Sequence, residues 1–218
     1  MILIRGDDVK GAIFDVDGTL LDSMTVWLHI TDNFFQANGL ILSDEKAEQY
    51  REMTIEESMS SIKEEFGSEM SLEKVEEEIQ RLAAIEYENN IELKPYAKEY
   101  IEKLHADGVK IAIATSGYPH LCKAAFKRLG IEQYIDIYAF SSEVGVNKSN
   151  PDIYLLAAKR LGLEPEDCVV FEDISLGISG AKKAGCKTCA IYDDTNARYT
   201  DELKQISDHY ITGWKDLL

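Results

Sequence analysis

The sequence predicts an α/β fold: a Rossmann-like doubly wound parallel sheet as the core, with an all-helical unit inserted into it. Three observations predict it. Short, near-continuous apolar runs recur along the chain, as in parallel strands covered on both faces. Amphipathic stretches separate them, and Gly108, Gly130, Gly162 and Gly185 are placed as helix stops. The rhythm breaks once, for about ninety residues after the first run, far more than a simple crossover needs.

Taken in order, the first strand is expected over residues 11–15, where Gly-Ala-Ile-Phe-Asp ends an apolar run in a carboxylate. The long gap follows. Within it Trp27, Ile30, Phe34 and Phe35 recur at helical spacing, Thr54-Ile55-Glu56-Glu57 forms a capping box, and Ser71 can cap a run reaching about Asn90. These signals describe a small helical bundle. Strands are then expected over residues 109–115, 137–140, 168–171 and 188–192, and helices over 96–106, 120–129, 152–161 and 176–184. The resulting organisation is an α/β domain over residues 1–21 and 95–218, with a helical domain over 22–94. The chain crossings fall near 21–25 and 92–95.

Composition narrows the function classes. Of 218 residues, 45% are hydrophobic and 29% charged, as in an ordinary globular protein, and no run approaches the roughly 20 apolar residues of a membrane span. With 23 basic and 40 acidic residues the formal charge is −17, which argues against a phosphate-tracking surface and so against nucleic acid as partner. Sixteen acidic and five basic residues lie between Ser43 and Glu92, so −11 of that charge sits in the helical insertion, where solvated helix faces account for it. The first eight residues turn acidic before any signal-peptide core forms, and a cytoplasmic location is expected. Cys186 and Cys189 have C-x-x-C spacing, but the run from Cys186 to Tyr192 reads as a strand, in which residues three apart face opposite ways. No redox or zinc role is expected of them.

The run Ile13-Phe14-Asp15-Val16-Asp17-Gly18-Thr19-Leu20 carries the chemistry. A buried strand delivers two carboxylates at its carboxyl end, the end where open α/β sheets bind ligands. Two such charges about 4 Å apart repel by ~4 kcal/mol even at an effective dielectric of 20. A divalent cation resolves that repulsion.

Asp15-Val16-Asp17-Gly18-Thr19-Leu20 resembles the first signature of the haloacid dehalogenase-like hydrolases. Later signatures follow in order: Thr115-Ser116-Gly117 after an apolar strand resembles the second, Lys148 before Pro151-Asp152 the third, and Glu172-Asp173 after Val169-Val170-Phe171 the fourth. The four span almost the whole chain.

The resemblance implies a phosphatase acting through an aspartyl-phosphate. Asp15 is the implied nucleophile, and Asp17 the acid that protonates the departing oxygen and then the base that deprotonates the hydrolytic water. Thr115 and Lys148 are implied to hold phosphoryl oxygens, with Gly18 and Ser116 beside them. Mg²⁺ is the implied cofactor, held by Asp15, the backbone carbonyl of Asp17, Asp173 and, directly or through water, Glu172. The helical insertion corresponds to the family's cap, which closes over the substrate; Trp27 and Arg51 are its candidates for substrate contact. The residues alone also show why cation and lysine are needed. A carboxylate meeting a phosphate dianion at about 4 Å costs roughly 8 kcal/mol, or about six decades of rate.

Within the family the nearest likeness is to the beta-phosphoglucomutase-like and phosphoglycolate-phosphatase-like group, by insertion position and by Lys148-x-x-Pro151-Asp152. The histidine and arginine that mutases carry in the cap have no clear counterpart near Trp27 and Arg51, and Tyr96 stands where a glycine usually follows the return proline. The expectation is therefore hydrolysis of a small phosphorylated metabolite. Two alternatives stand beside it: a sugar phosphomutase, which passes the phosphoryl group to a second hydroxyl, and, from another class, a phospho-acceptor signalling domain. Asp17 and the long insertion count against the latter, and the filled catalytic positions count against a silent binding module. Neither a membrane nor a nucleic-acid partner is expected.

Overall fold

Six parallel strands in the order β3-β2-β1-β4-β5-β6 form one sheet with β1 at its centre. The computed structural model describes residues 9–37 and 72–218, together with residues 43, 46, 60, 61, 63 and 64. The strands are β1 (Gly11–Phe14), β2 (Lys110–Thr115), β3 (Ile137–Phe140), β4 (Cys168–Glu172), β5 (Lys187–Ile191) and β6 (His209–Ile211). Ile13 pairs with Ala112 on one side and Val170 on the other, so β1 is enclosed by neighbours.

Strand alternation sorts the core into two faces. Ile13, Ala112, Ala114, Ala139 and Val170 pack with Ile153, Tyr154, Ala157 and Leu161 of α6 (Asp152–Leu161) and with Ala181 and Ala184 of α7 (Ser175–Ala184). Phe14 and Phe171 point the other way, their rings stacked at 4.8 Å, and meet Tyr100 of α3 (Ala97–Ala106) and Trp214. Small residues on the first face let two helices lie close to the sheet, while four aromatic rings fill the second. The chain also forms α4 (Pro119–Leu129), a single turn α5 (Ser141–Val144) and α8 (Thr200–Ile206).

The chain divides into two units, one of residues 1–24 and 91–218, the other of Thr25–Asn90. The second unit holds the helix α2 (Leu72–Asn89) and, from Thr25 onward, the helix α1 (Met24–Ala37). Trp27 and Tyr87 meet there, with rings 6.0 Å apart in an edge arrangement and the indole N–H donating to the Tyr87 hydroxyl at 2.9 Å. Ile30 and Phe34, one and two turns beyond Trp27, are buried. Arg51, Ser71 and the box at residues 54–57 lie outside the described residues.

Three local differences from the sequence reading have physical causes. Cys186 precedes β5 rather than belonging to it, because its N–H closes the end of α7 on the Ala181 carbonyl. All four cysteines are buried and unbonded to one another. β6 went unforeseen, since three residues with two polar ones give no alternation to read; it is fixed by Asp208, whose carboxylate accepts the Thr188 N–H at 2.8 Å and hydroxyl at 2.9 Å. Tyr96 before α3 has φ 67°, the left-handed region, and is the one non-glycine residue with positive φ among the described residues. Among those residues no helix is long and apolar enough to cross a membrane.

Candidate active site

The carboxyl ends of β1, β2 and β4 converge on a group of polar side chains that the interior would otherwise reject. Asp15 follows β1, its N–H bonded to the Phe171 carbonyl of β4 at 3.0 Å. Glu172 ends β4 and Asp173 follows it, both essentially without solvent exposure. Ligand oxygens of Asp15, Glu172 and Asp173 lie within 4.8 Å of one another. Lys148, from the loop before α6, is buried and reaches both Asp15 and Glu172, the latter at 2.5 Å. Among the described residues it is the ammonium in contact with this cluster, so three acids and one lysine would carry −2 when all are ionised.

Two glycines make the convergence sterically feasible. Gly18 has φ +83°, and a Cβ there would stand 2.4 Å from Asp173 Oδ2. A Cβ on Gly177, in the first turn of α7, would lie 2.3 Å from the Glu172 carboxyl carbon, so the helix approaches that carboxylate backbone-first.

Hydrogen bonds orient each acid. Tyr154 of α6 donates its buried hydroxyl to Glu172 Oε1 at 3.0 Å. Thr19 donates to Asp173 Oδ1 at 3.1 Å, and Asn196 donates to Asp173 Oδ2 at 2.8 Å. Asp17 is half-buried and accepts a bond of 2.6 Å from the buried Ser23 hydroxyl. Thr115, at the end of β2, is buried and accepts the Gly117 N–H at 3.0 Å. Ser116 is exposed and shares a 2.9 Å bond with Ser141. Asp17, Gly117 and Thr115 are neighbours, since a Cβ on Gly117 would lie 3.2 Å from Asp17 Oδ2 and 3.3 Å from Thr115 Oγ1.

The charges perturb one another. Burial pushes the Glu172 carboxyl up to about 7, against the pull of Lys148 and with the push of Asp15. Asp173 is held well above the ordinary carboxylate range by burial and then by the charges of Asp15 and Glu172. Burial works against the Lys148 ammonium, but Asp15 and Glu172 outweigh it and raise its pKa. Tyr154 is raised by burial and by the Glu172 charge, so its hydroxyl keeps its proton and serves as a donor.

Glu172 Oε2 bears on whether these residues suit a cation: it is buried and, among the described residues, has no hydrogen-bond partner. An orphaned carboxylate oxygen inside a three-carboxylate, all-oxygen set with two charges in excess is what a hard divalent ion satisfies. The residues fit.

Of the sequence-predicted residues, Asp15, Lys148, Glu172 and Asp173 are brought together directly. Gly18 lies against Asp173, and Thr115 and Asp17 share the Gly117 neighbourhood. Trp27 belongs to the helical unit and is tied there to Tyr87. Sequence reasoning missed Thr19, Ser23, Tyr154 and Asn196. Thr19 stands in the first motif and had that signal, while Ser23 lies three residues beyond it; Tyr154 reads as an ordinary apolar-face residue of α6, and Asn196 as a turn residue.

A family model described as hydrolase, haloacid dehalogenase-like hydrolase, matches residues 9–185. The chain is 27% identical over 177 residues to a phosphorylated carbohydrates phosphatase of Thermotoga maritima, covering 81% of this chain and 82% of that one. It is 32% identical over 184 residues to hexitol phosphatase A of Escherichia coli, covering 84% and 82%. In fold it is similar to the crystal structure of CbbY from Rhodobacter sphaeroides in complex with phosphate, with a TM-score of 0.82 and 24% identity over 96% of each chain.

Proposed function

The chain belongs to the haloacid dehalogenase-like hydrolase family and is a phosphatase within it, and on that premise we propose that it hydrolyses a small phosphorylated metabolite of the sugar-phosphate class through an aspartyl-phosphate on Asp15. The observation that carries the proposal is the contact of Lys148 with both Asp15 and Glu172 beside Asp173. A nucleophilic carboxylate thus lies beside a fixed positive charge and within a group of acids suited to a cation. The substrate class is supported by the relatives' names, a phosphorylated carbohydrates phosphatase and a hexitol phosphatase.

In this reading Asp15 attacks phosphorus in line and the ester oxygen departs with a proton from Asp17, whose carboxyl Ser23 holds in place. Asp17 then takes a proton from the water that opens the acyl-phosphate, returning Asp15 to its carboxylate. Lys148 and Thr115 bind phosphoryl oxygens, Lys148 by charge and Thr115 by its hydroxyl. Asp15, Glu172 and Asp173, with the main-chain carbonyl of Asp17, would hold Mg²⁺. Bound there, the ion supplies charge neutralisation that lets an anionic nucleophile approach an anionic ester. Tyr154 keeps Glu172 turned toward that position.

Phosphate release from a panel of sugar phosphates, phosphoglycolate and nucleoside monophosphates tests the reading. Turnover should need Mg²⁺ and stop on chelation. Acid-quenched mass analysis should find the phosphoryl group on Asp15; finding it on Thr115 or Ser116, or finding isomerised sugar phosphate as the main product, would overturn it.

A further inference from the structure

The turn after β5 reaches back into the acidic cluster, although nothing in the four motifs refers to it. The Asp173 carboxylate receives a donor on each oxygen, Thr19 on Oδ1 and Asn196 on Oδ2. The terminal torsion of an aspartate is broad when unrestrained, so two donors on opposite oxygens fix the plane of the carboxylate and the direction of its remaining lone pairs. Both donors are neutral. A lysine or arginine at the same place would orient Asp173 equally well but cancel the negative charge a cation needs; an amide orients without cancelling.

Asn196 is itself held. It lies in the 3₁₀ segment Asp194–Tyr199, which Asp193 caps by accepting the Thr195 N–H at 2.9 Å, and the Asn196 N–H donates to the Asp193 carbonyl at 3.1 Å. Asp193 is buried and paired with Lys94, whose ammonium lies 2.8 Å from Asp193 Oδ2 and 2.9 Å from the Tyr192 carbonyl. The Lys94 side chain is only 12% exposed, so solvent screens this pair little. The Lys94 main-chain N–H donates at 2.8 Å to the carbonyl of Leu20, in the loop that follows Asp15 and Asp17. One residue therefore ties the turn bearing Asn196 to the loop bearing the two aspartates.

We propose that Asn196 is a positioning residue for the divalent cation, setting the Asp173 carboxylate, and that Lys94 acts through it by clamping the Asp193 turn. The inference rests on the reading that Asp15, Glu172 and Asp173 hold such an ion in a phosphatase.

The test uses the full chain, stripped of metal, with Mn²⁺ as the probe and free Mn²⁺ followed by electron paramagnetic resonance. Replacing a partner that orients a metal-ligating carboxylate lowers affinity by about ten- to a hundredfold. Asn196→Leu, close to isosteric but without a donor, should raise the Mn²⁺ dissociation constant by that factor. Lys94→Met should raise it as well, Lys94→Arg should restore it, and the double variant should bind no more weakly than Asn196→Leu alone, since the two act in series. A lowered melting temperature of the metal-free variants with unchanged Mn²⁺ affinity would make Asn196 merely structural and overturn the inference. If Lys94→Met does not fold, Asn196→Leu alone decides. Failure of the unsubstituted protein to bind Mn²⁺ would overturn the reading of the site itself, whereas normal binding with unaffected variants would overturn only the role of Asn196 and Lys94.

Discussion

The Ser23 hydroxyl donates to Asp17 Oδ1 at 2.6 Å from a position with no solvent exposure, which makes this serine the anchor of the carboxyl that moves protons in the proposed reaction. A hydrogen bond to a charged group is worth about 1.5–3 kcal/mol when its partner is removed. Ser23→Ala should therefore lower kcat by about tenfold or more while leaving KM nearly unchanged, and Ser23→Thr, which keeps the hydroxyl, should recover most of it. Steady-state kinetics on one sugar phosphate checks both.

Lys148 is the ammonium that contacts Asp15 and Glu172, and removing it leaves their carboxylates buried without that counter-charge. Breaking such a pair costs about 3–5 kcal/mol. Lys148→Met should destabilise the metal-free protein by roughly that much at pH 8, and added Mg²⁺ should recover part of the loss because it supplies positive charge to the same acids. Urea unfolding with and without Mg²⁺ measures the effect; activity should be lost in either case.

The acidic cluster also fixes the direction of a pH response. Glu172 is pushed up to about 7 in the folded chain, first by burial. A carboxyl raised on folding contributes stability that is present below its unfolded pKa of about 4.3 and is lost as pH rises through the folded value. Metal-free protein should thus lose stability between about pH 4.5 and 7, while the cation, which requires the ionised acids, binds better over the same interval. The rise in melting temperature on adding Mg²⁺ should be small near pH 5.5 and grow as pH increases through about 7. Tyr154→Phe deletes a donor that lowers the Glu172 pKa, so its Mg²⁺ response should move to higher pH. Thermal scans across pH with and without Mg²⁺ check both statements.

Tyr96 holds a left-handed backbone just before α3. A side chain in that region costs about 1 kcal/mol or more, a penalty glycine escapes. Tyr96→Gly should accordingly be more stable than Tyr96→Ala by about 1 kcal/mol, a comparison that cancels the loss of the aromatic ring. Chemical denaturation of the two variants is sufficient.

The reading from sequence reached the parts of the site that announce themselves by contrast. Asp15 and Glu172-Asp173 end buried apolar strands, and a charge at that position is conspicuous because burying it is costly. β1 to β5 were legible for the same reason, as runs too apolar for any exposed element. What was not legible depends on groups brought together from far along the chain. Nothing near Asn196 indicates Asp173, 23 residues earlier, and the Asp-Asp-Thr-Asn run reads as an ordinary turn. Tyr154 sits on the apolar face of α6, where a tyrosine is indistinguishable from core until its hydroxyl is seen on Glu172. β6 was missed because it owes its place to Asp208 and Thr188 rather than to its own three residues.

The two crossings between the units lie side by side. Leu21 and Leu93 form an antiparallel bridge, and the Asp22 N–H donates to the Glu92 carbonyl at 3.0 Å. Residues so paired have Cα atoms only about 4.5–5.5 Å apart, a gap that a two-residue hairpin closes. The α/β unit thus meets its insertion as it would meet a surface loop of any length, and loop length costs little once the ends are adjacent. Such a scaffold can exchange the module between Thr25 and Asn90 for another while Asp15, Lys148 and Asp173 stay where they are, so that change in the insertion and change in the acidic cluster proceed on separate stretches of the gene.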